Sequence, residues 1–396
     1  MNTTPSTAKR VWLTILLGTI SATGPLSIDL YLPALPEMSA FLNAPASLIQ
    51  MSLSSCLLGL ALGQIIAGPL SDKYGRKIPL IIGFSIFGIT SLLISFSTSA
   101  YMLIGLRFVQ GLAGASGQVL SRAIARDMFS GPLLTKFYAM LSAVNGIFPV
   151  ISPVIGGFLV KYTGWKGIFT LLAIIGLVVV IAIFVGLPET LPEDARITSS
   201  AMSTITDTFK LLTDRGFLRL IILAGLIYGA LFSYISASSF VFQTEFHMSV
   251  QKFSLLYALN GVGIALGSAL PGRLSQKYSI LSQTWFAFTG TGILSLILLA
   301  SSFMWHNLFL VIGLVFFIVI FIGMLLTTIT SIIMNSNSSN AGGTSALMGV
   351  FQNAVSSLMS PIVGLMGTHT YTPMAAAIVF CCATGLSLLK RVRYNH

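Results

Sequence analysis

One acidic residue, Asp29, lies at the far end of an apolar stretch that begins at Trp12, and the next acid is Glu37. A carboxyl group inside a membrane-length segment is costly, and it usually faces an interior cavity or an ion pathway. When such a group is alternately removed from water and returned to it, it binds and releases a proton. We therefore expect Asp29 to serve proton coupling, or to attract a cationic substrate. The alternative is that the helix ends near Pro33 and that the carboxylate simply reaches the membrane surface.

A second set of polar residues lies within another apolar segment. From Arg107, the residues Gln110, Gly114 and Gln118 follow at spacings of three, four and four, which places them on one face of a helix. This face is predicted to line a water-filled path. Alternatively, it forms a seam in which small residues let two helices pack closely.

The elements that must position these residues are transmembrane helices. The hydrophobic fraction is 55% and only 8% of the residues are charged, whereas soluble proteins carry about 25% charged residues. No Asp, Glu, Lys or Arg occurs from Tyr278 to Leu389. A spanning helix needs about 20 apolar residues, so this run alone holds several spans. No catalytic constellation, phosphate-binding loop or metal-type spacing of Cys and His stands out, so we expect no enzyme activity, metal or cofactor.

Turn-rich stretches divide the chain into twelve predicted transmembrane helices. Their approximate limits are 11–34, 47–70, 78–98, 101–123, 137–160, 166–187, 217–240, 251–271, 281–302, 307–330, 343–366 and 372–390. With both termini in the cytoplasm, most of the 21 Lys and Arg residues fall on the cytoplasmic side, as the positive-inside rule requires. This distribution accounts for the net charge of +11 without a nucleic-acid partner, and it predicts contacts with anionic lipid.

The two halves of the chain carry related segments. "GPLSDKYGRK" at 68–77 resembles "GRLSQKYS" at 272–279, and "ISPVIGG" at 151–157 resembles "MSPIVGL" at 359–365. These matches at similar offsets predict duplication of a six-helix unit. Two such repeats packed together enclose a cavity near the midplane of the membrane. The predicted division is an N-terminal six-helix bundle over 1–187, a cytoplasmic linker over 188–216 and a C-terminal six-helix bundle over 217–396.

Several motifs together resemble those of the major facilitator superfamily, and within it the twelve-helix drug/proton antiporters of the Bcr/CflA type. They are "IDLYLPALP" at 28–36, "GPLSDKYGRK", "RFVQGLAGASG" at 107–117, "RAIARDMF" at 122–129, "SPVIGG", "GWKGIF" at 164–169 and "LPETLP" at 187–192. One position departs from the antiporter pattern Gly-Pro-x-x-Gly-Gly of helix five, because Ser152 replaces its first Gly.

The resemblance implies roles for residues at both ends of the N-terminal bundle. Asp29 and Arg107 are expected to face one cavity and to form a pair that substrate loosens; the alternative is a static pair that fixes helix packing. A charge cluster of Asp72, Arg76 and Asp127 is expected to form a cytoplasmic gate that latches the outward-facing state, with Gly75 supplying its turn. The alternative for this loop is a solvated turn that sets topology.

In helix five the proline and glycine residues indicate close helix packing with local bending, or alternatively a hinge. The motif residues concerned are Pro149, Ser152, Pro153, Gly156 and Gly157. Neutral residues of the remaining helices are candidates for the substrate cavity. They are Gln110, Gln118, Asn145, Tyr228, Tyr234, Tyr257, Asn260, Gln352 and Asn353. Glu245, the only acid after Arg219, is expected in an outer loop.

The resemblance thus implies an all-α exporter in two pseudo-symmetric bundles, a monomer in the bacterial cytoplasmic membrane. It is expected to expel small apolar drugs by alternating access, with the proton gradient as its energy source. An uptake symporter of the same fold is one alternative. A membrane receptor or scaffold without transport is another.

Overall fold

Helices make up nearly all of the part of the chain that the structure describes. This structure is a computed structural model, and it describes residues 7–196, 209–336, 341–367 and 370–391. The helices are α1 (Thr7–Asp29), α2 (Leu35–Phe41), α3 (Ala46–Tyr74), α4 (Lys77–Ser95), α5 (Ala100–Met128), α6 (Gly131–Gly186), α7 (Arg215–Phe240), α8 (Val250–Leu274), α9 (Ile280–Met304), α10 (Leu308–Ser336), α11 (Ala341–Leu365) and α12 (Thr372–Leu389). A 3₁₀ turn covers Leu32–Ala34, and a π turn covers Val241–Glu245. Of the predicted linker, 197–208 lies outside the described residues.

Within these ranges, ten helical segments are long and apolar enough to cross a membrane. Helix α5 is not among them, although it is 29 residues long, because its polar residues lower its hydropathy. Helix α6 combines two predicted spans, since only Gly164 departs from helical geometry, with φ 64°. Counting α5 and dividing α6 at Gly164 is consistent with the predicted twelve helices.

The predicted connection at 161–165 therefore has no loop. Because Gly164 adopts a positive φ, which glycine tolerates without steric cost, one helix ends and the next begins at a single residue. The Oε1 atom of Glu37 accepts a hydrogen bond from the backbone N–H of Trp165 over 3.3 Å. This carboxylate lies at the N-terminus of the second segment, where backbone N–H groups lack helical partners.

The helices pack as an N-terminal half, α1–α6, and a C-terminal half, α7–α12. Between the halves, α3 packs along α11 and α6 packs along α8. One cluster of buried apolar residues crosses both halves and includes Leu30 and Phe242. A separate cluster, with Leu17, Phe84 and Ile183, belongs to the N-terminal half. We call the side of the molecule where α1 ends the Asp29 end, and the opposite side the Arg76 end.

Hydrogen bonds link the halves at the Asp29 end. Gln50 near the start of α3 donates to the backbone oxygen of Ser236 over 3.0 Å. Gln243 of the π turn donates to the backbone oxygen of Pro33 over 3.1 Å. The described residues thus close the Asp29 end of the molecule.

Candidate functional site

Asp29 is the last residue of α1, and its side chain is buried, with 6% of the residue exposed. Helix α1 gives way to a 3₁₀ turn that contains Pro33, which has no backbone N–H to continue the helix. Asp29 Oδ1 accepts a hydrogen bond from the hydroxyl of Tyr257 over 3.3 Å. Since Tyr257 lies on α8, the carboxylate faces the opposite half. The alternative in which it reaches the membrane surface is therefore wrong for this structure.

Three of the predicted cavity residues lie together beside Asp29. The rings of Tyr257 and Tyr234 stack with centroids 6.0 Å apart and planes at 14°. Asn260 Nδ2 donates to the hydroxyl of Tyr234 over 2.7 Å. All three side chains are buried. They form a polar and aromatic wall that connects α7, α8 and the end of α1.

Arg107 does not pair with Asp29, so this prediction is wrong for the structure. Its side chain is fully buried, and Nη1 donates to the backbone oxygen of Ser27 over 3.1 Å and to Gln110 Oε1. The guanidinium lies 4.3 Å from the ring centroid of Tyr31 and 5.7 Å from that of Phe169. These neighbours belong to α1, α5, α6 and the turn after α1, so Arg107 lies inside the N-terminal half. Depth in the membrane suggested the pair, but depth does not fix the direction in which a helix face points.

The predicted polar stripe on α5 divides into two parts. Gln110 Nε2 donates to Ser91 Oγ over 2.7 Å inside the bundle, whereas Gly114 packs against the ring of Phe87. Further along, Gln118 is half-buried, and its Oε1 accepts from Gln64 Nε2 over 2.9 Å. The stripe is thus a buried packing face that ends in a polar pair.

Sequence reasoning missed Gln64, which lies on α3 opposite Gln118. A Cβ atom added at Gly349 of α11 would collide with Gln64 Oε1. Gln64 therefore lies where α3, α5 and α11 come together. An amide within the charge-free run from Met38 to Ser71 was the available signal, but no spacing connected it to Gln118.

At the Arg76 end, the predicted charge cluster is present. Arg76 is 3% exposed; its Nε donates to Asp127 Oδ2 over 2.8 Å, and its Nη1 donates to Asp72 Oδ1. Nη1 also donates to Ser71 Oγ over 2.7 Å. Gly75 has φ 86°, so it supplies the turn that brings Arg76 back onto the end of α3.

Sequence reasoning missed Glu189, which joins this cluster from beyond α6. Glu189 Oε1 accepts from the backbone N–H of Arg76 over 2.8 Å, and Oε2 accepts from that of Lys77 over 3.1 Å. Partial burial alone would raise the pKa of Glu189, but these bonds and those from its neighbours Thr190 and Leu191 hold its pKa below the usual range. A carboxylate at the first turn of α4 also interacts favourably with the helix dipole. The acid in "LPETLP" was a possible signal, but no spacing tied it to α4.

The helix-five motif forms a close seam. A Cβ atom at Gly156 would collide with the backbone oxygen of Leu30, and one at Gly157 would collide with Ser254 Oγ of α8. Ser152 is buried, and its hydroxyl donates to the backbone oxygen of Phe148. Pro149 and Pro153 lie inside α6. Close packing, one of the two predicted alternatives, describes this segment.

The remaining cavity candidates lie elsewhere in the bundle. Tyr228 of α7 stacks on Phe232, with ring centroids 6.4 Å apart. On α11, Gln352 is buried and Asn353 is half-buried. The side chain of Asn145 lies outside the described residues.

Known proteins resemble this chain over two thirds or more of its length. The model of the Major Facilitator Superfamily matches residues 15–361. An uncharacterized MFS-type transporter, YdgK of Bacillus subtilis, is 38% identical, with 96% of this chain and 95% of the relative covered. A bicyclomycin resistance protein homolog of Haemophilus influenzae is 29% identical, with 92% of each covered. The multidrug resistance protein MdtL of Escherichia coli is 27% identical, with 67% of this chain and 68% of MdtL covered.

A solved structure supports the fold. The xylose transporter XylE from E. coli, in a partially occluded inward open conformation, superposes with a TM-score of 0.73 at 13% identity, covering 96% of this chain and 98% of XylE. The match to the family model, the helical architecture and this likeness agree. The chain belongs to the major facilitator superfamily, and its relatives are consistent with a drug antiporter of the Bcr/CflA type.

Proposed function

We propose that the protein is a proton-coupled exporter of small, apolar drugs that works by alternating access between its two halves. The relatives named for bicyclomycin and multidrug resistance support drug export. In this proposal the protein lies in the bacterial cytoplasmic membrane as a monomer, with both termini in the cytoplasm. The Asp29 end then faces outward and the Arg76 end faces the cytoplasm.

The observation that carries proton coupling is the hydrogen bond from Tyr257 to Asp29. It places a buried carboxyl group on the contact between the two halves, which must separate at this end during transport. A charged carboxylate separated from water is much less stable than a neutral carboxylic acid. Binding or loss of one proton at Asp29 therefore changes the relative stability of the closed and open arrangements.

The contacts between the halves support an inward-facing arrangement. Hydrogen bonds from Gln50, Gln243 and Tyr257 close the Asp29 end. At the Arg76 end, the bonds of Arg76 run to Asp72 and Asp127 within its own half, so in this arrangement they do not latch the two halves together. We propose that this cluster acts as the gate on the cytoplasmic side.

The experiment compares Asp29→Asn with wild type in purified protein. Binding of a phenicol or of bicyclomycin is measured by calorimetry, and proton release is followed in weakly buffered detergent solution. Asn imitates the protonated carboxyl group, so the variant is expected to bind the drug and to release no proton. A variant that binds drug and releases protons as wild type does would place the coupling group elsewhere.

The direction of transport is tested with the same protein in liposomes. Export predicts that a proton gradient, acidic on the side of the Asp29 end, drives drug accumulation on that side. Accumulation on the opposite side under this gradient would favour the uptake symporter. Failure to move the phenicol or bicyclomycin in either direction would favour a receptor or scaffold.

A further inference from the structure

Glu245 is a second carboxylate buried at the Asp29 end, and proton coupling at Asp29 makes no use of it. It is the final residue of the π turn Val241–Glu245, in the predicted connection between α7 and α8, and it is buried there rather than exposed to water. Its side chain is 9% exposed. Neither carboxylate oxygen has a hydrogen-bond partner among the described residues. A buried charge in this state is costly unless it is neutralised.

Among the described residues, one titratable cation lies within reach of this carboxylate. His306 Nε2 lies 3.8 Å from Glu245 Oε1, and the histidine is 55% exposed. This separation is too long for a hydrogen bond but suits an ion pair once the imidazole carries a proton. The other titratable neighbour among the described residues is Tyr371, whose ring lies edge-on to His306 with centroids 5.8 Å apart. The backbone N–H of Tyr371 faces the carboxylate without completing a hydrogen bond to it.

Glu245 lies where the connections of the C-terminal half at this end converge. Its own turn leads from α7 to α8, His306 lies between α9 and α10, and Tyr371 directly precedes α12. The hydroxyl of Tyr371 bonds in turn to the backbone oxygen of Trp305 over 3.3 Å. A change of charge at Glu245 therefore acts on all three connections together.

The same π turn reaches the N-terminal half. Gln243 Nε2, two residues before Glu245, donates to the backbone oxygen of Pro33 over 3.1 Å and to Ser239 Oγ over 2.7 Å. The turn is held by the backbone N–H of Phe246, which donates to the oxygen of Val241 over 3.1 Å. Single π turns of this kind are often found at functional sites. Here the turn connects the Glu245 carboxylate with a hydrogen bond that closes the molecule.

We propose that Glu245 and His306 form a proton-binding site that controls closure of the Asp29 end. The inference deepens the proposed function, because it concerns control of the same alternating-access cycle. Acidic solution neutralises the buried group, either by protonating Glu245 or by charging His306 so that the two pair. Both events favour the closed arrangement of this structure. Alkaline solution leaves an unpartnered carboxylate, which draws the turn toward water and weakens the bond from Gln243.

The test measures the distance between spin labels across the Asp29 end as a function of pH. Labels are attached at Ala40→Cys in α2 and Lys252→Cys in α8, after the buried native cysteines have been replaced. The full-length chain also carries Asp29→Asn, so that the outcome does not depend on proton coupling at Asp29. The closed population is expected to grow as the pH falls.

In this background, Glu245→Gln is expected to remain closed at every pH and to lose the pH dependence. His306→Gln is expected to move the transition to lower pH, because Glu245 must then be neutralised without a counter-ion. His247→Asn, an exposed histidine beside the same turn, is the control and is expected to leave the transition unchanged. The proposal is overturned if Glu245→Gln keeps the transition, or if His306→Gln does not move it. If Glu245→Gln does not fold, His306→Gln tests the proposal alone, because it changes an exposed side chain.

Discussion

The hydroxyl of Tyr257 donates to Asp29 Oδ1 over 3.3 Å and so joins two residues that are 228 positions apart. This bond crosses between the halves of the molecule, and it replaces the pair of Asp29 with Arg107 that the sequence suggested. Any movement that opens the Asp29 end must break it.

Tyr257→Phe removes this bond while keeping the aromatic stack on Tyr234. A hydrogen bond between neutral groups contributes about 0.5–1.5 kcal/mol, so the closed arrangement is expected to lose population. Drug-induced proton release should fall, whereas drug binding is largely retained. Tyr278→Phe, which alters an exposed tyrosine, serves as the control. Unchanged proton release in Tyr257→Phe would show that the bond plays no part in coupling.

Arg107→Lys is expected to act on stability. Lysine keeps the positive charge but cannot reproduce the planar stacking on Tyr31 together with the bond to Gln110. We expect a loss of about 1–3 kcal/mol, because the amide oxygen of Gln110 is left buried without its partner, seen as a lower melting temperature in detergent. Arg126→Lys, at an exposed position on the same helix, should change the melting temperature little. A melting temperature equal to that of wild type would contradict the buried position of Arg107.

Glu189→Gln tests the carboxylate at the first turn of α4. Because the pKa of Glu189 is held below its usual value of 4.5, its stabilising effect is present above that pH and is lost as the pH falls through the lower native value. The unfolding midpoint of the wild type should therefore decline in acid more steeply than that of Glu189→Gln. Glu193→Gln, at a side chain that is 89% exposed, should follow the wild-type curve. Parallel curves for wild type and Glu189→Gln would rule out this role.

Gly156→Ala and Gly146→Ala form a matched pair on α6. A Cβ atom at Gly156 collides with the backbone of Leu30, whereas one at Gly146 meets no atom of the described residues within 4 Å. Overpacking costs about 1–3 kcal/mol, so Gly156→Ala should lower the melting temperature. Gly146→Ala should be neutral or stabilising by up to about 1 kcal/mol, since alanine favours helix. Equal effects of the two changes would mean that the seam is not tight at Gly156.

The orientation in the membrane is tested with an amine-reactive reagent that does not cross lipid. Lys73 and Lys277 are expected to react only from the cytoplasmic side, and Lys252 only from outside. All three side chains are exposed, so burial does not prevent their labelling. Reaction of Lys277 from outside would contradict the proposed topology.

Much of the fold could be predicted from the sequence, because apolar length and the cost of unpaired backbone groups in lipid determine where helices occur. The cluster of Arg76 with Asp72 could be predicted for a different reason: it depends on a short loop with a recognisable motif. The partner of Asp29 could not be predicted. It depends on the rotation of α1 about its axis and on the packing of α8, and neither leaves a periodic signal in the chain.

The polar partners of the sites were also missed where they come from distant segments. Glu189 follows α6 but binds the first turn of α4, and Gln64 on α3 meets Gln118 on α5. Each is a single residue without a spacing pattern. The predicted roles of Gly156 and Gly157 were open between bending and packing, and only the positions of Leu30 and Ser254 decide for packing.

The carboxylate of Glu37, from α2, lies at the start of the second segment of α6. It has a counterpart in the carboxylate of Glu189, which lies at the start of α4. Each carboxylate accepts backbone N–H bonds beside a glycine with positive φ, Gly164 in one case and Gly75 in the other. These two contacts lie at opposite ends of the N-terminal half, so hydrogen bonds to a carboxylate connect its helices at both ends. We therefore expect this half to move as one rigid unit, so that the change of shape during transport occurs at the contact between the halves rather than inside one of them.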